Sequence, residues 1–358
     1  MRFKKFMKKF NNILILRTDR IGDVVLTIPT IKALRTAYPM AKISILVSNA
    51  TIDLVRGNPY LDEILIDDSS DRHKGIFGFW RLVGDLRRKN FDIVFVFHTK
   101  RRTNLACFLA GVPVRVGYCN NKYGFLLNRP IKDVRHHGLK HETELCLDAL
   151  RFMGVQVKET KILIPVQKEA EIWALDWMSQ NGLHPGQLIA IHPGASDPTR
   201  CWPVASFANL ITGLVNRYSF KVVLIGGKDS IPLGNEILRL SPPGVLNLIG
   251  QTNVAATSSV LRRCFLLVSN NSGPMHIASG LGIYVIALFL HTQLGINAKR
   301  WGPLPPKGFV LINKLGEEIT FGRKGKYLGG KLDSISVEEV LDLVENIFSK
   351  DQQNVFHW

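Results

Sequence analysis

The amino-acid sequence predicts an α/β chain built from two doubly wound parallel-sheet domains. Three observations lead there. Short apolar runs alternate with helix-length segments from one end of the chain to the other. The length, 358 residues, suits two cores better than one. Four loops that follow apolar runs hold small, hydroxyl-bearing or charged residues, and parallel sheets bind ligands beyond the carboxyl ends of their strands.

In the first half, 13–16, 43–47 and 92–97 read as short buried strands, with helices between them at 24–37 and 79–89. In the second half, strands fall at 188–191, 221–225, 265–268 and 284–288. Helices lie at about 204–217, 255–263 and 274–280. The join is expected near 165–186, where a helix ends at Asn181-Gly182, a good C-terminal stop. The resulting domains are 1–168, led by a basic segment over 1–12, and 169–358. The segment 334–350 reads as a closing helix, because Ser336 and Glu339 form a capping-box pattern ahead of Val340, Leu341 and Leu343.

Composition narrows the partners. Hydrophobic residues make up 46% of the chain, enough for packed cores and too many for disorder. The net charge of +17 points to an anionic partner: nucleic acid, an acidic membrane surface or a phosphorylated substrate. The five cysteines, Cys107, Cys119, Cys146, Cys201 and Cys264, contain no CxxC pair. That spacing fits neither a zinc site nor a disulfide framework, so a reducing cytoplasm is expected. The apolar run 281–290 is too short to span a bilayer, and no secretory signal pattern is visible. In the lead MRFKKFMKKFNN, Phe3, Phe6, Met7 and Phe10 fall on one helical face and five basic residues fill the rest. Such a helix can lie on an anionic membrane; a frayed, solvated start is the plainer reading.

Four strand-end loops can carry chemistry. In Arg17-Thr18-Asp19-Arg20-Ile21-Gly22-Asp23, two carboxylates and two guanidiniums crowd seven residues. Gly22 is expected to let the backbone turn or approach a ligand, and Asp23 to sit where a helix begins, where taken alone it reads as an N-cap. The loop 192–203 supplies Ser196, Thr199 and Arg200, groups suited to a phosphate. Gly226-Gly227 permits close backbone approach to a nucleotide, and Asp229 offers a ribose acceptor. Asn271, Ser272 and Gly273 precede Pro274 at a helix start whose free amides favour a diphosphate, with His276 one turn in. Singly, His276 reads as a core histidine. A basic cluster, Lys100-Arg101-Arg102, follows the strand at 92–97, and Asp67-Asp68 reads as a solvated loop.

At these residues the chain resembles glycosyltransferase family 9, the lipopolysaccharide heptosyltransferases. The matching stretches are ILILRTDRIGDVVLTIPTIKALRTAYP (13–39), IAIHPGAS (189–196), RCWP (200–203), VVLIGG (222–227), NLIGQTN (247–253), SNNSGPMHIASG (269–280) and KRWGP (299–303). The resemblance implies a GT-B architecture, two Rossmann-like domains facing across a cleft, with acceptor on the first and nucleotide sugar on the second. It implies metal-independent, inverting transfer of heptose from ADP-heptose to a lipid-linked inner core, with no cofactor beyond the donor itself. By the family pattern Asp23 is the base. Ser196, Thr199, Arg200, Gly227, Asp229, Asn271, Ser272, Gly273 and His276 bind the donor. Arg17, Arg20, Lys100, Arg101 and Arg102 are expected to hold the anionic acceptor, on the cytoplasmic face of the inner membrane. Many members carry Asp where this chain has Asn271, which keeps hydrogen bonding and loses charge. Two alternatives stand beside this reading. One is a GT-B transferase using another sugar or acceptor. The other is a non-catalytic nucleotide or nucleic-acid binder, although no RNP-like aromatic ladder, zinc finger or helix-turn-helix is recognisable.

Overall fold

Strand residues with no exposed face dictate the architecture. Ile13, Leu14, Ile15 and Leu16 are fully buried, and so are Leu188, Ile189, Ala190 and Ile191. Only a sheet covered on both sides buries every residue of a strand. The computed structural model describes residues 9–98, 100–119, 123–157, 161–197, 200–218, 220–289, 295–312, 320–321, 327–328 and 335–355. They divide into two units, Met1–Gln167 and Lys168–Trp358.

The first unit runs β1 (Asn12–Leu16), α1 (Ile21–Ala37), β2 (Lys42–Ser48), β3 (Glu63–Asp67), α2 (Gly75–Lys89), β4 (Ile93–Val96), α3 (Arg101–Leu109), β5 (Val114–Cys119), β6 (Arg129–Lys132) and α4 (Glu142–Phe152). Its sheet order is β3-β2-β1-β4-β5-β6, parallel throughout. Helix α1 packs against α4, and α2 against α3. The second unit runs α5 (Lys168–Gln180), β7 (Leu188–His192), α6 (Val204–Tyr218), β8 (Lys221–Leu224), α7 (Ile231–Leu240), β9 (Leu246–Asn247), α8 (Val254–Leu261), β10 (Leu266–Asn270), α9 (Gly273–Leu281), β11 (Tyr284–Phe289), α10 (Ala298–Trp301) and β12 (Gly308–Ile312). A small antiparallel pair, β13 (Thr320–Phe321) and β14 (Tyr327–Leu328), and α11 (Val337–Val355) complete it. Its sheet order is β12-β11-β10-β7-β8-β9, again parallel.

Renumbered within each unit, both sheets have the order 3-2-1-4-5-6. The chain leaves the first strand in one direction and crosses back to place the fourth on its other side. The loops after β1 and β4, and those after β7 and β10, therefore flank the two crevices where such sheets bind ligands. The fold class read from the sequence, two Rossmann-like doubly wound domains, is the one observed.

Local signals explain the elements. Helix α5 stops before Gly182, which takes φ +61°. The α11 capping box closes reciprocally: Ser336 N–H donates to Glu339 Oε2 at 3.0 Å, and Glu339 N–H to Ser336 Oγ at 3.2 Å. Trp202 is buried against Phe207, ring centroids 5.1 Å apart, and its Nε1 donates to Ile335 O at 2.9 Å. That ties the loop after β7 to the start of the closing helix.

Three expectations need correcting. Gly22 does not turn the chain; it is the second residue of α1, and extended Arg20 (φ −84°, ψ 164°) makes the entry. Phe10 is 4% exposed and packs edge-on against Tyr38, so it belongs to the first core and not to a surface helix. Residues 1–8 of the basic lead lie outside the described residues. Asp67 is not solvated: it is 7% exposed, ends β3 and pairs with Arg102. Among the described residues, no helix is long and apolar enough to cross a membrane.

Candidate functional site

At the crevice of the first sheet, one guanidinium organises four elements. Arg17 follows β1 directly, and its N–H extends the ladder to Leu46 O at 3.0 Å. Its side chain, 2% exposed, donates from Nη1 to Phe97 O at 3.1 Å, just past the end of β4. Nη2 donates to Asp23 Oδ1 in the first turn of α1 and to Glu142 Oε1, the first residue of α4, at 3.3 Å. Nε lies 3.0 Å from Asp19 Oδ1. A planar fork of five donors suits this convergence where an ammonium would not. Burial alone would lower the Arg17 pKa; the carboxylates of Asp19, Asp23 and Glu142 reverse that and push it up.

Asp23 keeps 17% of its side chain exposed, so one face of the carboxylate stays open while the other is held by Arg17. It is the third residue of α1, and the N-cap position belongs to Arg20. Asp19 sits beside it and His98 closes the group, with Nδ1 3.3 Å from Asp19 Oδ2. Burial raises Asp19 to about 6 against the pull of Arg17. Burial, with Lys100 and Arg17 nearby, lowers His98 to about 4. At neutral pH the pair is thus a neutral imidazole beside a carboxylate.

The expected acceptor cations separate in space. Arg17 is buried among three carboxylates and presents no free face to an acceptor, which corrects that assignment. Arg102 is tied to Asp67 Oδ1 and donates to His73 O at 2.6 Å, with its guanidinium 5.8 Å from the Phe79 ring. It braces α3 against α2, with 30% of its side chain still exposed. Arg20, Lys100 and Arg101 are exposed, and Lys100 lies within electrostatic reach of Asp19 and His98.

The crevice of the second sheet is built from hydroxyls, amides and an imidazole. Ser269 Oγ donates to Asn270 O at 2.7 Å, and Ser272 Oγ stands 2.9 Å from Ser269 Oγ. Since Ser269 has used its proton, Ser272 donates to it. His192 Nδ1, 2.9 Å from Ser272 Oγ, is then the donor that completes the chain. His192 is neutral in this arrangement; burial pushes it down to about 4, and the charge of Asp229 opposes the shift. Fully buried Asn270, the last residue of β10, pins both ends of the loop after β7, accepting from Trp202 N–H at 3.1 Å and donating to Pro193 O at 2.6 Å.

Of the expected donor contacts, Asn271, Ser272 and Gly273 stand together at the mouth of α9, with Pro274 in its first turn. His276 is 4% exposed and meets Trp301 edge-on, centroids 6.4 Å apart. Arg200 is partly exposed, with Nε 3.7 Å from Asp197 Oδ2, and Ser196 is exposed. Thr199 lies outside the described residues. Gly227 and Asp229 are exposed, and a Cβ on Gly227 would stand 2.6 Å from Asp229 Oδ1, whereas Gly226 serves packing. A Cβ on Gly226 would stand 3.3 Å from Ser230 Cβ, and one on Gly194 only 2.5 Å from Ser230 Oγ, so Ser230 is wedged between two loops. Residues that sequence reading left off the site are Asp19, His98, Glu142, His192, Ser269 and Asn270. Asp19 and His192 stood inside loops already singled out, and His98 one residue past a strand end. Glu142, 125 residues from Arg17, left no local signal.

Two measurements check this geometry. Arg17→Met leaves three carboxylates without their cation. It should lower unfolding stability in urea by about 3–5 kcal/mol, with Arg17→Lys losing less. For His192 the folded pKa lies below the free value, so its contribution to stability is complete above about pH 6.5 and is lost as pH falls toward 4. The wild-type urea midpoint should therefore fall more steeply than that of His192→Asn between pH 7 and 4, and equal slopes would count against a buried neutral imidazole.

Comparison with known proteins agrees with this construction. Residues 79–329 match the sequence model of glycosyltransferase family 9 (heptosyltransferase). Lipopolysaccharide heptosyltransferase 2 of Escherichia coli K12 is 26% identical over 288 residues, 77% of this chain and 82% of that protein. The glycosyl transferase family 9 structure from Veillonella parvula superposes with TM-score 0.84 at 23% identity, over 95% of this chain and 98% of that one. An E. coli heptosyltransferase solved with ADP gives TM-score 0.72 at 16% identity, over 94% and 99%. The two structural likenesses are likenesses of fold; the sequence model covers most of the chain, and the chain belongs to glycosyltransferase family 9, the heptosyltransferases.

Proposed function

We propose that the chain transfers a heptose from ADP-heptose to the lipid-linked inner core of lipopolysaccharide, with inversion at the anomeric carbon and without a metal. The observation that carries the reading is Asp23, a partly exposed carboxylate at the crevice of the first sheet that is held by buried Arg17. The E. coli relative acts on lipopolysaccharide by its name, and a neighbouring fold binds ADP. Both attributes come to this chain as part of the proposal.

The chemistry follows from the two crevices. The second unit takes the ADP moiety: the amides at the opening of α9, that of Ser272 among them, and Arg200 face its phosphates, and His276 supports them from one turn in. The acceptor hydroxyl, held on the first unit with Lys100, Arg101 and Arg20 opposing its negative charge, gives its proton to Asp23. Its oxygen forms a bond to the anomeric carbon as the bond to the β-phosphate oxygen breaks. ADP leaves with the electron pair, and fixed donors oppose the charge that develops on it. Approach from the face opposite the leaving group inverts the centre. Asn271 favours a second version of this reading, with another nucleotide sugar or acceptor, because the family's usual carboxylate there is replaced by an amide. We place the enzyme at the cytoplasmic face of the inner membrane, where such an acceptor is anchored.

Asp23→Asn should lower kcat by about 10²–10⁴ while ADP affinity by calorimetry stays within about twofold. Arg200→Ala should weaken ADP binding about tenfold as well as slow transfer. A panel of nucleotide sugars run with the wild type decides the donor: transfer only from a sugar other than ADP-heptose would overturn the sugar assignment and leave the base in place.

A further inference from the structure

Helix α2 is amphipathic in an unusual way. Gly78, Leu82, Val83 and Leu86 face the core, as a covering helix requires. The opposite face should be solvated, yet its first turns carry Ile76, Phe77 and Trp80, exposed by 68%, 81% and 54%. Trp80 meets its neighbour Phe79 edge-on, ring centroids 5.8 Å apart, and still leaves half its surface outside the core. Phe77 and Trp80 line a groove of about 700 Å³ together with Arg72, Arg81, Arg88 and Asp85. The position is rigid: a Cβ on Gly78 would stand 2.2 Å from the His73 backbone carbon, so the incoming loop lies hard against the helix.

The charge around this groove is one-sided. Over residues 71–90, Arg72, Lys74, Arg81, Arg87 and Arg88 are exposed. Against them stand exposed Asp71 and Asp85, 23% exposed, which Arg72 and Arg88 share. Aromatic side chains ringed by arginines, on a helix lying flat along a domain, match the headgroup layer of an anionic bilayer. The rings enter the acyl boundary, and the guanidiniums meet phosphates. Helix α2 begins after β3, and α3, with exposed Lys100 and Arg101 at its start, begins after β4. Both starts lie at the carboxyl edge of the parallel sheet. That edge also carries Asp23.

We infer that the α2 face formed by Ile76, Phe77, Trp80, Arg81 and Arg88 docks the first unit on an anionic lipid surface. The inference deepens the proposed function, resting on its lipid-linked acceptor, and it names a surface distinct from the basic lead.

The test is sedimentation of the full chain with vesicles of phosphatidylglycerol and phosphatidylethanolamine, and with vesicles of phosphatidylcholine alone. Wild type should partition at least tenfold better onto the anionic vesicles. Phe77→Ser/Trp80→Ser and Arg81→Gln/Arg88→Gln should each lose at least tenfold of that binding at low salt, with unchanged thermal melts. Unaltered partitioning of both variants would overturn the inference and place membrane contact elsewhere. Equal wild-type binding to neutral vesicles would also overturn it. So would a dimer that either variant splits in analytical ultracentrifugation while vesicle binding persists, since the face would then belong to a second copy. Transfer to a deacylated, water-soluble acceptor should be the same for wild type and Phe77→Ser/Trp80→Ser, and transfer to a vesicle-borne acceptor should drop for the variant. Loss of soluble-acceptor transfer in the variant alone would show that the face serves the reaction itself and would overturn the inference. Absence of transfer by wild type on either acceptor contradicts the proposed activity and leaves the vesicle result to decide the docking face.

Discussion

The first unit depends on a single buried cation. Arg17 is 2% exposed and makes contact with Asp19, Asp23, Glu142 and the Phe97 carbonyl. A buried charge is costly unless it is paired and hydrogen-bonded, and a carboxylate left behind without its partner is costly too. The four groups therefore hold one another to a single geometry. That geometry joins the loop after β1, the end of β4, the first turn of α1 and the first residue of α4. Its consequence for chemistry is that Asp23, the group proposed to take a proton, is aimed by a neighbour with no other duty toward substrate.

The second unit reaches rigidity by another route. Its crevice holds no comparable cluster of charges among the described residues. A directed chain of hydrogen bonds runs from His192 through Ser272 and Ser269 to the Asn270 carbonyl, and the Asn270 amide pins both ends of the loop after β7. The two solutions suit the partners proposed for them. A proton acceptor needs a carboxylate oriented by a fixed charge. A diphosphate needs donors and a helix start that are already arranged before it arrives, so that little reorganisation accompanies binding. In both units the working groups sit where the strand order reverses, which is where backbone ends diverge and leave room for a ligand.

Much of this was legible in the residues themselves. Fully apolar runs such as 13–16 and 188–191 announced parallel sheets, because nothing else buries every side chain of a strand. Gly182, Pro274 and the Ser336–Glu339 pair marked helix ends through local chemistry. Strands β3, β5 and β6 escaped notice because they mix charged and polar residues with apolar ones nearer the sheet edge, as in Glu63–Asp67 and Arg129–Lys132. Asp23 and Ser272 were found through local pattern and resemblance. The burial of Arg17 and the ion pairing of Arg102 were not, because their partners, Glu142 and Asp67, lie 125 and 35 residues away. A guanidinium in a strand-end loop looks the same in sequence whether it meets a substrate or a buried carboxylate. Gly226 shows a similar limit: the space it leaves is filled by Ser230 of the same chain.

The claim that Arg17 acts through Asp23 is tested most directly by a double-mutant cycle on kcat with Arg17→Lys and Asp23→Asn. Lysine keeps the charge and loses the fork, so it should slow transfer by misaiming the base. If that is its route, Arg17→Lys should have no further effect once Asp23 is an amide, and the double variant should be as slow as Asp23→Asn alone. Losses that multiply would contradict the account and assign Arg17 a separate part in the reaction.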